Sequence, residues 1–266
     1  MKIHRIVILL IFIVFSCLPV FSKTSIFRFP SYIDLTHTLS NNTIHWAVQK
    51  PFQLITSYDG QTSNHHYYSD HQFSMLAHIG THIDAPKHFY QYGEGVAAIP
   101  LQSLIGDAVV INVNKKIQHD VDYQISVEDL VTWQNQYGKI PMNSIVLFNT
   151  GYENYWPNRY YYFGTNKVGY DAKNNLHFPG LSLAAAKWLI QHKVKAIGID
   201  TASIDYGLSK NFLVHQLLAK YRIPIFENLT RLNKLSPKGN YIIALPLKVS
   251  GSSGAPLRII ALKETS

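Results

Sequence analysis

"PGLSLAAAKWLIQHKVKAIGID", Pro179–Asp200, reads as a helix running into a buried strand. Pro179-Gly180 precede the helical stretch Leu181–Lys193, and the apolar run "AIGID" (Ala196–Asp200) follows it. The cadence then repeats. "NFLVHQLLAKY" (Asn211–Tyr221) is the next helix and "IPIFENL" (Ile223–Leu229) the next strand. Helix and strand in alternation argue for βα units around a parallel or mixed sheet. Upstream, "AVVINV" (Ala108–Val113) and "SIVLFNT" (Ser144–Thr150) suit buried strands. Between them Ser126 precedes a helical pattern, with Asp129 three residues later where a capping acid belongs. "YIDLTHTL" (Tyr32–Leu39) alternates like a strand, and "FQLITSY" (Phe52–Tyr58) is a further candidate. The tail, "YIIALPLKV" and "LRIIALK" around "SGSSGAP", reads as two strands and a flexible turn. The class is α/β or α+β with a substantial sheet.

The 266 residues suffice for one large domain with a full core, and 47% hydrophobic against 15% charged residues describes a globular chain. No internal repeat or linker divides residues 23–266. Residues 1–22 stand apart. Lys2 and Arg5 lead an apolar run from Ile6 to Phe15, and Val20 and Ser22 are small residues at the −3 and −1 positions before Lys23. That is the pattern of a cleaved secretory signal peptide, with an apolar run shorter than the ~20 residues that span a bilayer. The expectation is a secreted or extracytoplasmic protein with no stable membrane anchor. The single cysteine, Cys17, lies in this leader, so neither a disulfide framework nor a thiolate ligand is available after cleavage. Asn41-Asn-Thr43 and Asn228-Leu-Thr230 are sequons for a host that glycosylates. The net charge of +8 is spread thinly, with no basic run longer than Lys115-Lys116, so nucleic acid is not an expected partner.

"HIGTHIDAPKH", His78–His88, concentrates three histidines and an aspartate where Gly80 and Pro86 prevent a regular helix. In extended backbone His82 and Asp84 project to one side, and a turn at Gly80 folds His78 back toward them. Imidazoles with one carboxylate suit a borderline divalent ion such as Zn²⁺ or Mn²⁺ with an open position for water. His215 in its helix and Glu227 in the following strand are expected at one end of the sheet, since only a turn separates the two elements. Glu227 inside "IPIFENL" needs a cation or a hydrogen-bond partner. "NHHYYSDH" (Asn64–His71) reads as a surface loop.

The stretch His78–His88 resembles the His-x-Gly-Thr-His-x-Asp-x-Pro-x-His motif of the cyclase-like metal-dependent hydrolases, which include bacterial kynurenine formamidase and isatin hydrolase. The resemblance extends through "IDLTHTL", "NTGYENYW", "PGLSLAAAKWLI", "GIDTASID" and "HQLLAKYRIPIFENL" to "GAPLRIIAL". It implies a single swivelling β/β/α domain over residues 23–266. It also implies metal ligands His78, His82 and Asp84, a second ion held with His215 and Glu227 (one or two ions in all), and His88 as catalytic acid/base. Trp46 sits where the formamidase has a substrate-stacking tryptophan, although the usual Trp-Pro-Gly surroundings are absent. Members associate as dimers or larger, and exchange of N-terminal segments would bring Trp46 into a partner's site.

The implied chemistry is hydrolysis of a small aromatic amide, with Thr81 fixing the loop and Trp46 and Phe52 near the entrance. Arylformamidase action, N-formyl-kynurenine to kynurenine and formate, is the leading expectation. An isatin-type ring-opening hydrolase is the near alternative, since it shares the ligands. A serine hydrolase is disfavoured because "GLSLA" and "GSSGA" both break the Gly-x-Ser-x-Gly elbow. A secreted binding protein on a dead scaffold would have lost ligands or His88, and all are present.

Overall fold

The computed structural model describes residues 31–48 and 50–263, so the expected leader at residues 1–22 lies outside the described residues. The strands are β1 (Ser31–Asp34), β2 (Gln53–Gln61), β3 (Tyr67–Ser74), β4 (His82–Asp84), β5 (Ile105–Asn112) and β6 (Gln124–Ile125). They continue with β7 (Ile145–Asn149), β8 (Gly180–Leu181), β9 (Ala196–Ile199), β10 (Ile225–Glu227), β11 (Asn240–Pro246) and β12 (Gly254–Lys263). The helices are α1 (Leu101–Leu104), α2 (Asn114–Ile117), α3 (Val127–Tyr137), α4 (Arg159–Phe163), α5 (Leu183–Gln191) and α6 (Leu213–Lys220).

The main sheet runs β12-β11-β5-β7-β9-β10-β4 and closes where β4 pairs again with β12, with β1 added alongside β12. The segment β5-β7-β9-β10 is parallel and the rest antiparallel. The fold is therefore α/β with a mixed sheet, as expected. Closure removes edges that would otherwise expose unpaired backbone. Both faces of the parallel strands are buried. Val109, Ile111, Val146, Phe148, Ile197 and Ile199 pack on one side with helix residues such as Leu130, Ala185, Leu189 and Leu218. Ala108, Val110, Ile145, Leu147 and Ala196 fill the other side with β11 and β12. That two-sided burial explains why these strands read as continuous apolar runs.

Local chemistry sets the element ends. Ser126 accepts from the Asp129 amide while Asp129 reaches back to Ser126 N at 2.7 Å, so α3 begins with a reciprocal cap. The helix expected from Leu181 starts at Leu183 behind the capping Ser182, because Gly180 and Leu181 pair with β6 instead. The strand expected over Tyr32–Leu39 stops at Asp34. Beyond it, Thr36 bridges to Leu229 and its hydroxyl bonds β12. "NHHYYSDH" is not wholly a loop. Its second half forms β3, paired with β2 in a hairpin whose strand residues are all exposed except Gly60.

The close pairing of β4 with β12 leaves no room at Gly254. A β-carbon there would meet His78 Cε1 and the Ile83 carbonyl oxygen, each at 2.5 Å. Gly254→Ala is expected to destabilise the protein by about 1–3 kcal/mol, the usual result of overpacking, and to displace His78. Denaturant unfolding read beside wild type checks this, and unchanged stability would contradict it.

Candidate active site

The β4–β10 register builds the floor of the site. His82 pairs opposite Glu227 and Asp84 opposite Ile225, so three acid or imidazole side chains converge on one face of adjacent strands. Gly80 supplies the turn ahead of them with φ 64°, where a β-carbon would meet Leu39 Cδ2 at 2.6 Å. The fourth group arrives on α6. Asp205 receives the backbone N–H groups of Val214 and His215 at 3.2 and 3.0 Å, and binds His215 Nδ1 at 2.7 Å. One carboxylate thus caps the helix and aims its histidine.

His82, Asp84, His215 and Glu227 are all buried. His82 Nε2 lies 3.3 Å from Asp84 Oδ1 and 3.4 Å from Glu227 Oε2. His215 Nε2 lies 3.2 Å from Asp84 Oδ2 and 3.1 Å from Glu227 Oε1. Two donors on one tetrahedral ion, each at about 2.1 Å, stand about 3.4 Å apart. Asp84 Oδ2 is buried and has no hydrogen-bond partner, so these donors aim at common points more than at each other. His78–His82–Asp84 and Asp84–His215–Glu227 form two overlapping groups, with ligand atoms in each within 4.8 Å of one another. The donor set therefore fits a metal ion, with Asp84 shared. His78 Nδ1 is hydrogen-bonded directly to Asp84 Oδ1 at 2.5 Å, and its Nε2 meets Ser253 Oγ at 3.0 Å.

His88 stacks on His78 with ring centres 3.8 Å apart, and its Nε2 is 3.9 Å from Asp84 Oδ2. Burial, only partly offset by Asp84, lowers its pKa to about 4, so it is a neutral base at physiological pH. Burial opposes charge on His82 as well, but Asp84 and Glu227 override it and raise its pKa to about 10. Burial acts likewise on His215, where Asp205, Asp84 and Glu227 raise the pKa well above the ordinary value. Burial would raise Asp84, yet His78, His215 and His82 hold it well below the usual carboxylate range.

Above this floor is a cavity of about 190 Å³ lined by Ile44, His45, Trp46, Phe89, Phe163 and Phe212 as well as the ligand residues. Trp46 lines this cavity from within the same chain. It packs edge-on to Phe163 and Phe178 at 6.3 and 6.0 Å. Arg159 holds that wall. Its guanidinium donates to the His45 carbonyl at 2.6 Å and to the Lys167 carbonyl, and lies over the Phe163 ring. Phe52 does not reach the cavity. It is buried and stacks on Phe73 at 6.2 Å. Thr81 donates to the Asn228 carbonyl at 2.6 Å and accepts from His37 N at 2.9 Å, a loop-fixing role. Sequence reasoning missed Asp205 and the wall residues Phe89, Phe163 and Phe212. "GIDTASID" held a signal for Asp205, an acid ten residues before His215, whereas Phe212 shows itself only through its φ of 49° at the head of α6.

Paired buried carboxylates, imidazoles turned toward them and a neutral histidine alongside define a metal-dependent hydrolase on a closed α/β sheet. The chain belongs to the Cyclase family, whose model, described as "Putative cyclase", matches residues 33–206. It is 28% identical to an isatin hydrolase of Roseibium aggregatum over 194 residues, covering 70% of this chain and 71% of that one. It is 26% identical to a kynurenine formamidase of Bacillus cereus over 234 residues, covering 86% and 96%. Among solved structures, isatin hydrolase A from Ralstonia solanacearum superposes with a TM-score of 0.78 at 30% identity, covering 88% of this chain and 92% of that one.

At neutral pH the raised His82 and His215 hold protons, and an incoming ion has to displace them. Loading the metal-free protein with a divalent ion is expected to release about two protons, with affinity rising as pH rises. An indicator-dye titration in weak buffer checks this. Proton-neutral loading, or affinity independent of pH between 6 and 8, would contradict it.

Proposed function

We propose that this chain hydrolyses a small aryl amide, with arylformamidase action, N-formyl-kynurenine to kynurenine and formate, as its reaction. The observation behind this reading is the pair of shared-carboxylate donor groups at the floor of an aromatic-walled cavity. Zn²⁺ or Mn²⁺, one or two per chain, would be held by His78, His82, Asp84, His215 and Glu227. A bound divalent ion makes water a stronger acid and polarises a carbonyl. The chain's own residues do the rest. His88, neutral beside the floor, accepts a proton from the attacking water at Nε2 and returns it to the departing nitrogen. The C–O bond forms, the C–N bond breaks, and amide plus water becomes carboxylic acid plus amine, the acid then releasing its proton to solvent as carboxylate. Trp46, Phe89, Phe163 and Phe212 hold the aryl group and keep bulk water from it.

A second reading, ring opening of an isatin-type cyclic amide, is favoured by the isatin hydrolase superposition at 30% identity. It needs the same floor and a different fit to the wall. Metal-stripped protein reloaded with Zn²⁺ or Mn²⁺ separates the two readings. Turnover of N-formyl-kynurenine, reduced at least 10²-fold in His88→Ala, is the expected result. Turnover of isatin alone would transfer the assignment to cyclic amides, and turnover of neither would overturn the substrate class.

The proposal extends to export and assembly. The charged-then-apolar leader and the confinement of the only cysteine to it support cleavage before Lys23. The β2–β3 hairpin supports association between copies. It exposes Leu54, Ile55, Tyr58, Tyr68 and Phe73, and a two-stranded hairpin is marginal in water by itself. Native mass spectrometry of exported protein is expected to show a dimer or larger of chains beginning at Lys23. Leu54→Glu with Phe73→Glu is expected to leave monomer. A wild-type monomer, or chains still bearing the leader, would refute the corresponding part.

A further inference from the structure

We infer that Asn228 is a positioning residue for the metal centre, fixing the tautomer and direction of the His82 ring. This rests on the reading of His82 as a metal donor. Asn228 follows Glu227 at the end of β10 and is 5% exposed, with a left-handed backbone at φ 53°. Asparagine enters that region more readily than other residues with a β-carbon. All its polar groups have partners. Its backbone N–H donates to the Thr201 carbonyl at 2.9 Å, and its carbonyl accepts from Thr81 Oγ1 at 2.6 Å. Its side-chain Nδ2 donates to the Gly80 carbonyl at 2.8 Å, and its Oδ1 accepts from the buried Tyr162 hydroxyl at 2.8 Å.

The same Gly80 carbonyl oxygen lies 2.9 Å from His82 Nδ1. A carbonyl oxygen only accepts, so the ring nitrogen facing it carries the hydrogen. That leaves Nε2 as the atom turned toward Asp84 and Glu227, the orientation a metal-binding imidazole requires. Asn228 Nδ2 and His82 Nδ1 stand 3.4 Å apart because they converge on the same acceptor. The amide cannot be reversed without setting Oδ1 against the Gly80 oxygen. Tyr162, whose hydroxyl also lies 3.0 Å from the Asp200 carbonyl oxygen, holds it in that sense. The side chain that the Asn228-Leu-Thr230 sequon would offer to a glycan is therefore enclosed and committed to the site.

Co²⁺ binding by the purified protein tests the inference. Affinity is read by competition with a chromophoric chelator, and ligand geometry by the visible d–d spectrum. Asn228→Gly removes the amide yet accepts the left-handed backbone, and is expected to lower affinity 10–100-fold and alter the spectrum. Tyr162→Phe keeps the amide but frees its oxygen, and is expected to lose several-fold with a smaller spectral change. Near-UV circular dichroism of each metal-free variant reports the fold. Wild-type affinity and spectrum in Asn228→Gly would overturn the inference. Should that variant not fold, wild-type values in Tyr162→Phe would overturn it. No Co²⁺ uptake by wild type would overturn the inference together with the metal-site reading beneath it, and so differs from failure of the variants alone.

Discussion

Two carboxylates, Asp84 and Glu227, lie side by side in the protein interior, each about 3% exposed. Neither burial nor mutual repulsion favours that arrangement, and a buried charge persists only with compensating charge and hydrogen bonds. The surrounding structure supplies them. His82 comes from the same strand as Asp84 and lies opposite Glu227. His215 comes from α6 and touches both acids. Glu227 Oε1 also accepts the Ile204 N–H at 2.7 Å. Because these partners come from separate elements, the acids tie β4, β10, α6 and the loop after β9 into one unit. His78, His82, Asp84, His215 and Glu227 would hold a divalent ion, whose positive charge would add to this compensation.

The sheet puts this unit where α/β proteins place ligands. Strands β5, β7, β9 and β10 are parallel, and the chain leaves β9 and β10 toward the site. A layer of committed groups stiffens the loops that follow. Asp200 accepts from Thr150 Oγ1 at 2.6 Å and from the Gly151 amide at 2.8 Å, fastening the β7 loop to the end of β9. Burial still raises the Asp200 pKa to about 6, despite those hydrogen bonds. Three residues further on the chain reaches Ser203, whose carbonyl accepts from Thr201 Oγ1 at 2.9 Å, and then Asp205. The histidine on α6 is thus aimed by a loop that the parallel strands hold rigid.

Much of this was legible in the sequence because it depends on local pattern. The long helices, the apolar central strands and the Ser126–Asp129 cap follow from spacing within a dozen residues, and the ligand residues of "HIGTHIDAPKH" are adjacent in the chain. What escaped depends on partners far away. β4 is three residues long, too short for any periodicity, and exists because β10 and β12 pair with it from 140 or more positions onward. The β3 half of the hairpin, YYSDHQFS, puts one of its adjacent tyrosines on each face and is exposed on both, so no buried side marks it as a strand. Asn228 reads only as part of a sequon, because nothing in Asn-Leu-Thr shows that Gly80 will lie against it. Phe52 lies away from the cavity, because an aromatic residue near Trp46 in sequence need not be near it in space.

Floor and wall of the cavity answer to different constraints. The floor is set by strand register, and a one-residue slip of β4 would turn His82 and Asp84 away from Glu227 together. Its chemistry is therefore fixed as a block. The wall is assembled from loops. Ile44, His45 and Trp46 come from the segment after β1, Phe89 from the turn after β4, Phe163 from α4 and Phe212 from the head of α6. That wall stays in place through contacts such as Arg159 to the His45 carbonyl and the Gly169 amide to the Ala47 carbonyl at 2.7 Å. Loops tolerate exchange of side chains that paired strands do not. A formamide and a cyclic amide both offer an amide carbonyl to the floor and differ in what surrounds it, so the two proposed readings would be separated by the fit of the rest of the molecule to residues 44–46, 89, 163 and 212.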